Sequence, residues 1–296
     1  MPKTGFAALI GRPNSGKSTL LNLMTGQKVA AVSDKPQTTR IRVLGIHNQD
    51  DAQIVFIDTP GIHKPGYRMN ERMMETVYEA LKDVDVVVHL VDASEKTGKG
   101  ELYALELVKG SGKPSLLALN KVDLINKGRL LPMMASYSEQ NAYVAIVPIS
   151  AETGENVEDL TREIIKLLPD GEFLYPPEYV TDQTERFIVS EIIREKALAH
   201  TREELPYAIG VRIDEFDEGQ RSDGFVRITA SLIVDKSSQK KIVIGRAGQM
   251  IKEIGTEARA DIEPFLEVHR VYLDLNVAVV PGWRNIDHVL DEMGLV

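Results

Sequence analysis

Short apolar runs alternate with stretches of helical periodicity over residues 6–168. The runs are rich in Val, Ile and Leu and end in polar or glycine-rich turns, which is typical of buried strands. We predict strands at residues 6–10, 53–57, 84–91, 115–119 and 143–149. Strands that alternate with helices favour an α/β fold with a mostly parallel sheet. Because ligands bind at the carboxyl ends of such strands, we expect the functional residues there.

The pattern changes at residues 169–177, which read Pro-Asp-Gly-Glu-Phe-Leu-Tyr-Pro-Pro. Proline and glycine at this density do not suit a helix or a central strand, so we interpret the segment as a linker. The pattern beyond it predicts the order α-β-β-α-α-β, with helices at 185–200, 240–244 and 249–265, strands at 207–214, 225–235 and 268–277, and a last short helix after Pro281. We therefore expect a domain over 1–170, a linker over 171–180 and a smaller α+β domain over 181–296.

Composition excludes several classes of protein. The 296 residues contain no cysteine, which rules out disulfides, thiol catalysis and zinc sites built on thiolates. The formal net charge of -9 argues against a surface that is basic all over. No window reaches the roughly 18 consecutive apolar residues of a spanning helix. We expect a cytoplasmic protein, a monomer, with at most peripheral membrane contact.

The first chemical motif lies between the first predicted strand and a helix. It reads Gly11-Arg12-Pro13-Asn14-Ser15-Gly16-Lys17-Ser18, followed by Thr19. This is the Gly-x4-Gly-Lys-Ser pattern of phosphate-binding loops, in which backbone N–H groups and a helix N-terminus surround an anion. We expect Lys17 to reach the β- and γ-phosphates and the Ser18 hydroxyl to bind Mg²⁺.

Two later motifs indicate which base is bound. Asn120-Lys121-Val122-Asp123 follows the strand at 115–119, and Ser150-Ala151 follows the last strand of the first domain. The Asp123 carboxylate can accept two hydrogen bonds from guanine, whereas adenine offers no such donor pair. Lys121 would lie along the base or brace the phosphate loop, and a backbone N–H after Ser150 would meet the guanine oxygen. We predict GTP and GDP as ligands, and an ATP-driven enzyme is disfavoured.

The remaining nucleotide residues follow the strand at 53–57 and lie in a loop upstream of it. Asp58-Thr59-Pro60-Gly61-Ile62 places a carboxylate where it can hold Mg²⁺ through water and a Gly61 N–H where it can meet the γ-phosphate. Either Thr38 or Thr39 can bind Mg²⁺, and we choose Thr39. Lys17, Thr39 and Gly61 are our catalytic candidates. Segments 28–42 and 58–75 should order with GTP and loosen after hydrolysis.

These motifs, in this order, resemble the full set of a translation-factor-type small GTPase. One position departs from many regulatory GTPases: Ile62 stands where a glutamine orients the attacking water. Because an alkyl side chain cannot position water, we predict slow intrinsic hydrolysis that a partner or an ion raises. The resemblance implies that Asn14 recruits K⁺ beside the phosphates; the alternative is that Asn14 is only a turn residue.

The second domain carries a Gly-x-x-Gly loop between two predicted helices, Gly245-Arg246-Ala247-Gly248. In KH modules such a loop lies against a nucleic-acid backbone. Residues 181–296 hold 15 basic and 21 acidic side chains, yet no acidic residue occurs between Lys236 and Lys252. Positive charge therefore surrounds the loop. The candidate RNA-binding residues are Lys236, Lys240, Lys241, Gly245, Arg246, Ala247, Gly248 and Lys252.

A GTPase followed by this module resembles the Era family of bacterial GTPases. Further matching stretches are Lys35-Pro36-Gln37-Thr38-Thr39-Arg40, Ser190-Glu191-Ile192-Ile193-Arg194-Glu195-Lys196 and Glu204-Leu205-Pro206-Tyr207. The resemblance implies a type II KH domain, binding of small-subunit ribosomal RNA near its 3′ end, a role in 30S assembly, and peripheral association with the inner membrane. The alternative is a GTP-dependent protein-docking or membrane-associated switch, in which the second domain binds protein and the Gly-x-x-Gly is a turn.

Overall fold

The computed structural model describes residues 1–35, 37–49, 51–62 and 66–295. The chain forms two compact units. The first comprises Met1–Ala30, Thr39–Pro65 and Met73–Asp182, and the second comprises Ala31–Thr38, Gly66–Arg72 and Gln183–Val296. Two short segments of the amino-terminal half of the sequence thus belong to the second unit.

The first unit is built on a sheet of six strands formed by its described residues, in the order β2-β3-β1-β4-β5-β6. All neighbours pair in parallel except β2 and β3, which are antiparallel. The elements are β1 Lys3–Ile10, α1 Lys17–Thr25, β2 Val43–Gln49, β3 Ala52–Asp58, α2 Arg68–Lys82, β4 Val86–Asp92, α3 Lys99–Ser111, β5 Ser115–Asn120, α4 Leu130–Ser138, β6 Ala145–Pro148 and α5 Val157–Leu167. The first turn of α2, up to Arg72, belongs to the second unit.

The central strands are buried on both faces, which explains their nearly continuous apolar sequence. Every residue of β3 and β5 is buried, as is most of β1 and β4. The parallel register aligns the strand ends, since Leu9 pairs with Asp58 and Asp92 pairs with Asn120. The five predicted strands are confirmed, and their chemistry-bearing ends meet at one edge of the sheet.

One strand of this sheet was missed in the sequence. Val43–Gln49 forms β2, although His47 and Asn48 interrupt its apolar pattern. Glycine at position 45 allows close packing, because a Cβ there would lie 2.5 Å from a methyl group of Leu21 on α1. The segment predicted to be a linker runs beside this strand, where Ile46 donates its N–H to the Val180 carbonyl at 2.8 Å.

The second unit contains a three-stranded sheet in the order β7-β8-β9. β7 and β8 are antiparallel, and β8 and β9 are parallel. The elements are α6 Glu185–His200, α7 Leu205–Ala208, β7 Gly210–Asp217, β8 Phe225–Val234, α8 Ser237–Ile244, α9 Gln249–Phe265, β9 Arg270–Val279 and α10 Asp287–Glu292. Apart from the additional helix α7, this confirms the predicted order α-β-β-α-α-β and the last short helix.

Two details of this unit differ from the sequence prediction. A short helix, α7, occupies the start of the strand predicted at 207–214; Pro206 lies in its first turn, where a missing N–H costs nothing. The strand then runs on to Asp217, three residues beyond its predicted end, and a bulge lies between Ile213 and Glu215. The bulge leaves Asp214 as one extra residue between two successive pairs with β8, which bends the strand locally.

The core of the second unit lies between its sheet and the helices α6 and α9. Ile192 and Ala197 of α6 and Ile254, Ala258 and Ile262 of α9 are all at most 2% exposed. The spacing of four residues between Ile254, Ala258 and Ile262 puts these side chains on one face of α9. None of the helices formed by the described residues is long and apolar enough to span a bilayer.

Candidate functional site

The loop between β1 and α1 closes around the side chain of Lys17. Lys17 is buried, and its Nζ donates to the carbonyl oxygens of Gly11 at 3.2 Å and Arg12 at 3.1 Å. Gly16 begins α1 with a left-handed φ of 97°, and a Cβ there would collide with the Asn120 amide. Asn14 is exposed with φ 64°, a conformation that asparagine tolerates better than most residues.

Three oxygen-bearing side chains converge beside this loop. The Ser18 hydroxyl donates to Oδ2 of Asp58 at 2.7 Å and lies 2.7 Å from the Thr39 hydroxyl, which in turn donates to the same Asp58 oxygen at 3.2 Å. The second oxygen of Asp58 is buried without a hydrogen-bond partner among the described residues. The Thr38 hydroxyl instead donates to the Lys35 carbonyl at 2.6 Å. The geometry therefore supports Thr39 over Thr38.

Lys17 and Asp58 are charged groups in a dry environment. Burial lowers the pKa of Lys17, and the charge of Asp58 opposes that effect. Burial raises the pKa of Asp58, and the charge of Lys17 opposes it. An all-oxygen donor set suits Mg²⁺. No group of three or more His, Asp or Glu side chains that could hold a metal occurs in the described part of the chain, so a cation here would take further ligands from phosphate and water.

Hydrogen bonds connect the segment after β3 to the end of β1 and to the phosphate loop. The Thr59 hydroxyl donates to the Leu9 carbonyl at 2.8 Å, and the Ile62 N–H donates to the Gly11 carbonyl at 3.1 Å. Gly61 is needed for this approach, because a Cβ there would lie 2.7 Å from the backbone of Pro13. The Ile62 side chain is 2% exposed within an apolar cluster, so it cannot hold a water molecule. The neighbouring Pro60 is also buried.

Asn120 joins three loops at the same edge. Its side-chain N–H donates to the Ser15 carbonyl at 2.8 Å, and its side-chain oxygen accepts from the Ala151 N–H at 2.9 Å. The Ala151 N–H, predicted to meet guanine, is thus engaged by Asn120 in this structure. Val122 is buried and Asp123 is exposed. The phosphate loop and both base-binding motifs are therefore brought together.

Sequence reasoning missed two features of this edge. It did not identify Asn120 as the side chain that joins the phosphate loop to the Ser150 loop, which requires knowledge of which strands are neighbours. It also missed Asp92, whose Oδ2 lies 2.6 Å from Nζ of Lys121. The sequence offered one indication of Asp92, because this carboxylate comes directly after the strand predicted at 84–91, where functional residues are expected.

The Gly-x-x-Gly loop connects α8 to α9 through three residues with positive φ. The φ angles are 75° at Gly245, 51° at Ala247 and 78° at Gly248. A Cβ at Gly245 would lie 2.7 Å from that of Met250, whereas Gly248 faces open space. Arg246 and Ala247 are exposed. The loop therefore presents its backbone and one cation to solvent.

The predicted basic residues surround this loop. Lys236, Lys241 and Lys252 are exposed and Lys240 is half-buried. Gln239 fixes the start of α8 by accepting from the N–H of Lys236 at 3.0 Å. The lysines therefore extend into solvent from both helices that carry the loop. Pro36 and residues 63–65, parts of the two segments predicted to respond to GTP, lie outside the described residues.

Comparison with known families agrees with this architecture. The family model described as "50S ribosome-binding GTPase" matches residues 6–121, and the KH domain model matches residues 204–284. The chain is 46% identical over 292 residues to GTPase Era of Geobacter metallireducens, covering 99% of this chain and 97% of that protein. It is 44% identical to GTPase Era of Halothermothrix orenii over 292 residues, covering 99% and 98%.

Two solved Era structures superpose on nearly the whole chain. A variant of Aquifex aeolicus Era bound to GDP and AlF4⁻ matches with a TM-score of 0.94, 39% identity and 99% coverage of both chains. An Era complex with MgGDPNP and nucleotides 1506–1542 of 16S ribosomal RNA matches with a TM-score of 0.96, 39% identity and 100% coverage of both chains. The predicted fold class and family resemblance are confirmed: the chain is a GTPase with a KH domain, and it belongs to the Era family.

Proposed function

We propose that this chain is a GTP-hydrolysing switch that binds small-subunit ribosomal RNA near its 3′ end and acts in 30S subunit assembly. The observation that carries the RNA-binding part is the exposed Gly-x-x-Gly loop with lysines on both flanking helices. An Era structure that matches the entire chain holds 16S ribosomal RNA, which supports the same partner here. The domains are a GTP-binding domain over 1–170, a linker over 171–180 and a KH domain over 181–296.

The first domain binds Mg²⁺ and the phosphates of GTP. The hydroxyls of Ser18 and Thr39 ligate the ion directly and Asp58 holds it through water, which would satisfy the buried Asp58 oxygen that has no hydrogen-bond partner among the described residues. When bound, Mg²⁺ neutralises charge that develops on the phosphate oxygens during hydrolysis. Lys17 binds the β- and γ-phosphates, and the Gly61 N–H meets the γ-phosphate.

The base is held at the neighbouring strand ends. Asp123 accepts two hydrogen bonds from guanine, Lys121 lies beside the base, and the Ser150-Ala151 turn completes the pocket. The hydrogen bonds of Asn120 to Ser15 and Ala151 support this assignment, because they hold the phosphate loop and the base loop in one arrangement.

GTP acts on the second unit through the segment that precedes Thr39. That segment, Ala31–Thr38, belongs to the second unit, where Arg194 donates to the Thr38 carbonyl and Glu195 accepts from the Val32 N–H. Release of Thr39 after hydrolysis frees the adjoining peptide and changes the surroundings of α6. Binding of GTP thus favours the RNA-binding state, and hydrolysis resets it.

The attacking water is positioned by a group other than Ile62, whose side chain is buried among apolar residues. Intrinsic hydrolysis is accordingly slow. K⁺ bound beside Asn14 accelerates it, and the exposure of Asn14 supports access for an ion. Peripheral contact with the inner membrane and a monomeric state remain predictions from the sequence.

Steady-state GTPase assays test this proposal in four conditions: K⁺ or Na⁺ buffer, each with and without an RNA that carries the 3′ end of 16S ribosomal RNA, at matched Mg²⁺. RNA should raise the rate of GTP hydrolysis in both buffers, and K⁺ should raise this rate both with and without RNA. Equal rates in K⁺ and Na⁺ would eliminate the potassium site. A rate that RNA leaves unchanged, together with no RNA binding, would favour the protein-docking alternative.

A further inference from the structure

Asp92 and Lys121 form an ion pair at the carboxyl edge of the first sheet. Asp92 ends β4 and lies in register with Asn120, which ends β5. Lys121 follows Asn120 directly, and its Nζ lies 2.6 Å from Oδ2 of Asp92. The base-binding motif is therefore anchored to β4 as well as to β5.

The Asp92 carboxylate is itself held in place. Its other oxygen accepts from the Ser94 N–H at 2.9 Å and from the Ser94 hydroxyl at 2.5 Å. The Asp92 side chain is 14% exposed. Burial raises the pKa of Asp92, but the hydrogen bonds from Lys121 and Ser94 outweigh it and leave the pKa below its ordinary value. At neutral pH, Asp92 is therefore a charged acceptor with a fixed orientation.

The ion pair with Asp92 orders the side chain of Lys121, which is otherwise flexible. Its backbone has a left-handed φ of 65°, which residues other than glycine and asparagine adopt rarely, and its flexible side chain is 30% exposed. A lysine that must be ordered during binding reduces affinity, because its rotamer freedom is lost at that step. A lysine already ordered by a carboxylate avoids this loss.

We propose that Asp92 is a positioning residue for the guanine nucleotide: it holds Lys121 in its binding conformation before the nucleotide arrives. This inference rests on the proposed role of Lys121 at the guanine site. Since the proposed role places Lys121 beside the guanine base, which GTP and GDP share, the effect is the same for both nucleotides. Asp92 thus sets nucleotide affinity without discriminating between the two states of the switch.

The test is the dissociation constant of fluorescent GTP and GDP analogues for the full-length chain carrying Asp92→Asn. This change removes the charge and keeps the shape of the side chain. Both dissociation constants should rise by about 5- to 20-fold, mainly through faster release. This factor lies around the lower end of what one hydrogen bond to a charged group contributes, because the pair is partly exposed. Asp159→Asn, which removes the partner of Arg162 on the exposed face of α5, is the matched control and should leave both constants unchanged.

A double-mutant cycle with Lys121→Met separates this mechanism from a general structural role. In the Lys121→Met background, Asp92→Asn should cause no further loss. Ser94→Ala keeps the charge of Asp92 but removes a hydrogen bond that orients its carboxylate. It should raise the dissociation constants of both nucleotides by a smaller factor than Asp92→Asn, and it replaces that variant if Asp92→Asn does not fold.

The outcomes distinguish the role of Lys121 at the guanine site from the positioning role of Asp92. If Lys121→Met alone leaves affinity unchanged, the role of Lys121 at the guanine site is wrong. If Lys121→Met weakens binding while Asp92→Asn is neutral, the positioning role is overturned. Tighter binding by Asp92→Asn, or losses that add fully in the double variant, would overturn it as well.

Discussion

Asn120→Ala should destabilise the first unit and separate two of its loops. The substitution removes the donor to the Ser15 carbonyl at 2.8 Å and the acceptor of the Ala151 N–H at 2.9 Å. Asn120, Ser15 and Ala151 are each at most 3% exposed, so both backbone groups lose their partners in a buried environment. Each unsatisfied buried group costs about 1–3 kcal/mol, which gives about 2–6 kcal/mol in total, and water entering the vacated space favours the lower half.

Two measurements check this prediction. Urea unfolding followed by far-UV circular dichroism should show the loss in the free energy of unfolding, and amide hydrogen exchange should show faster exchange at Ala151. The matched control is Asn126→Ala, which removes an exposed side-chain acceptor of the Gly128 N–H and should cost only about 1 kcal/mol or less. If Asn120→Ala kept its unfolding free energy within about 0.5 kcal/mol of the parent, the proposed junction would be refuted.

Two further predictions concern the base and the second unit. Asp123→Asn should lower GTP affinity by about 100-fold or more and shift preference toward xanthosine triphosphate, measured by competition binding, because the amide presents a donor to the guanine donors; an unchanged preference would contradict the assignment of Asp123. Trp283→Phe should lower the unfolding free energy of the second unit by about 2–4 kcal/mol. The fully buried indole donates to the Ala208 carbonyl at 3.0 Å, and a thermal transition unchanged from the parent would show that this bond contributes nothing.

Local motifs and periodicity were sufficient for the phosphate loop, the five parallel strands and the order of elements in the second unit. These features depend on neighbouring residues and on burial, which the sequence records directly. β2 escaped prediction because it is an antiparallel strand whose His47 and Asn48 interrupt the apolar run. The short helix α7 replaced a predicted strand start because Pro206 suits a first helical turn as well as a turn before a strand.

The contacts that organise the site depend on tertiary register. The sequence left Thr38 and Thr39 as alternatives, since both are hydroxyls in one loop, and only the fold brings the Thr39 hydroxyl to Ser18 and Asp58. The pairing of Asp92 with Lys121 likewise requires that β4 and β5 be neighbours with ends in register. The spacing of residues along the chain does not predict such pairs.

RNA binding by the Gly-x-x-Gly loop is the part of the proposed function that a single measurement tests most directly. Equilibrium binding of an RNA carrying the 3′ end of 16S ribosomal RNA should be measured for the parent and for the double variant Arg246→Asp, Ala247→Asp, which keeps both glycines. The control is Arg259→Asp, which makes the same arginine-to-aspartate exchange about 16 Å along α9 from the end of the loop.

The parent should bind this RNA with strong salt dependence, and the loop variant should bind it at least about 10-fold more weakly with unchanged GTP affinity. The control variant should bind RNA as tightly as the parent. Equal RNA affinity of the parent and the loop variant would contradict RNA binding by this loop.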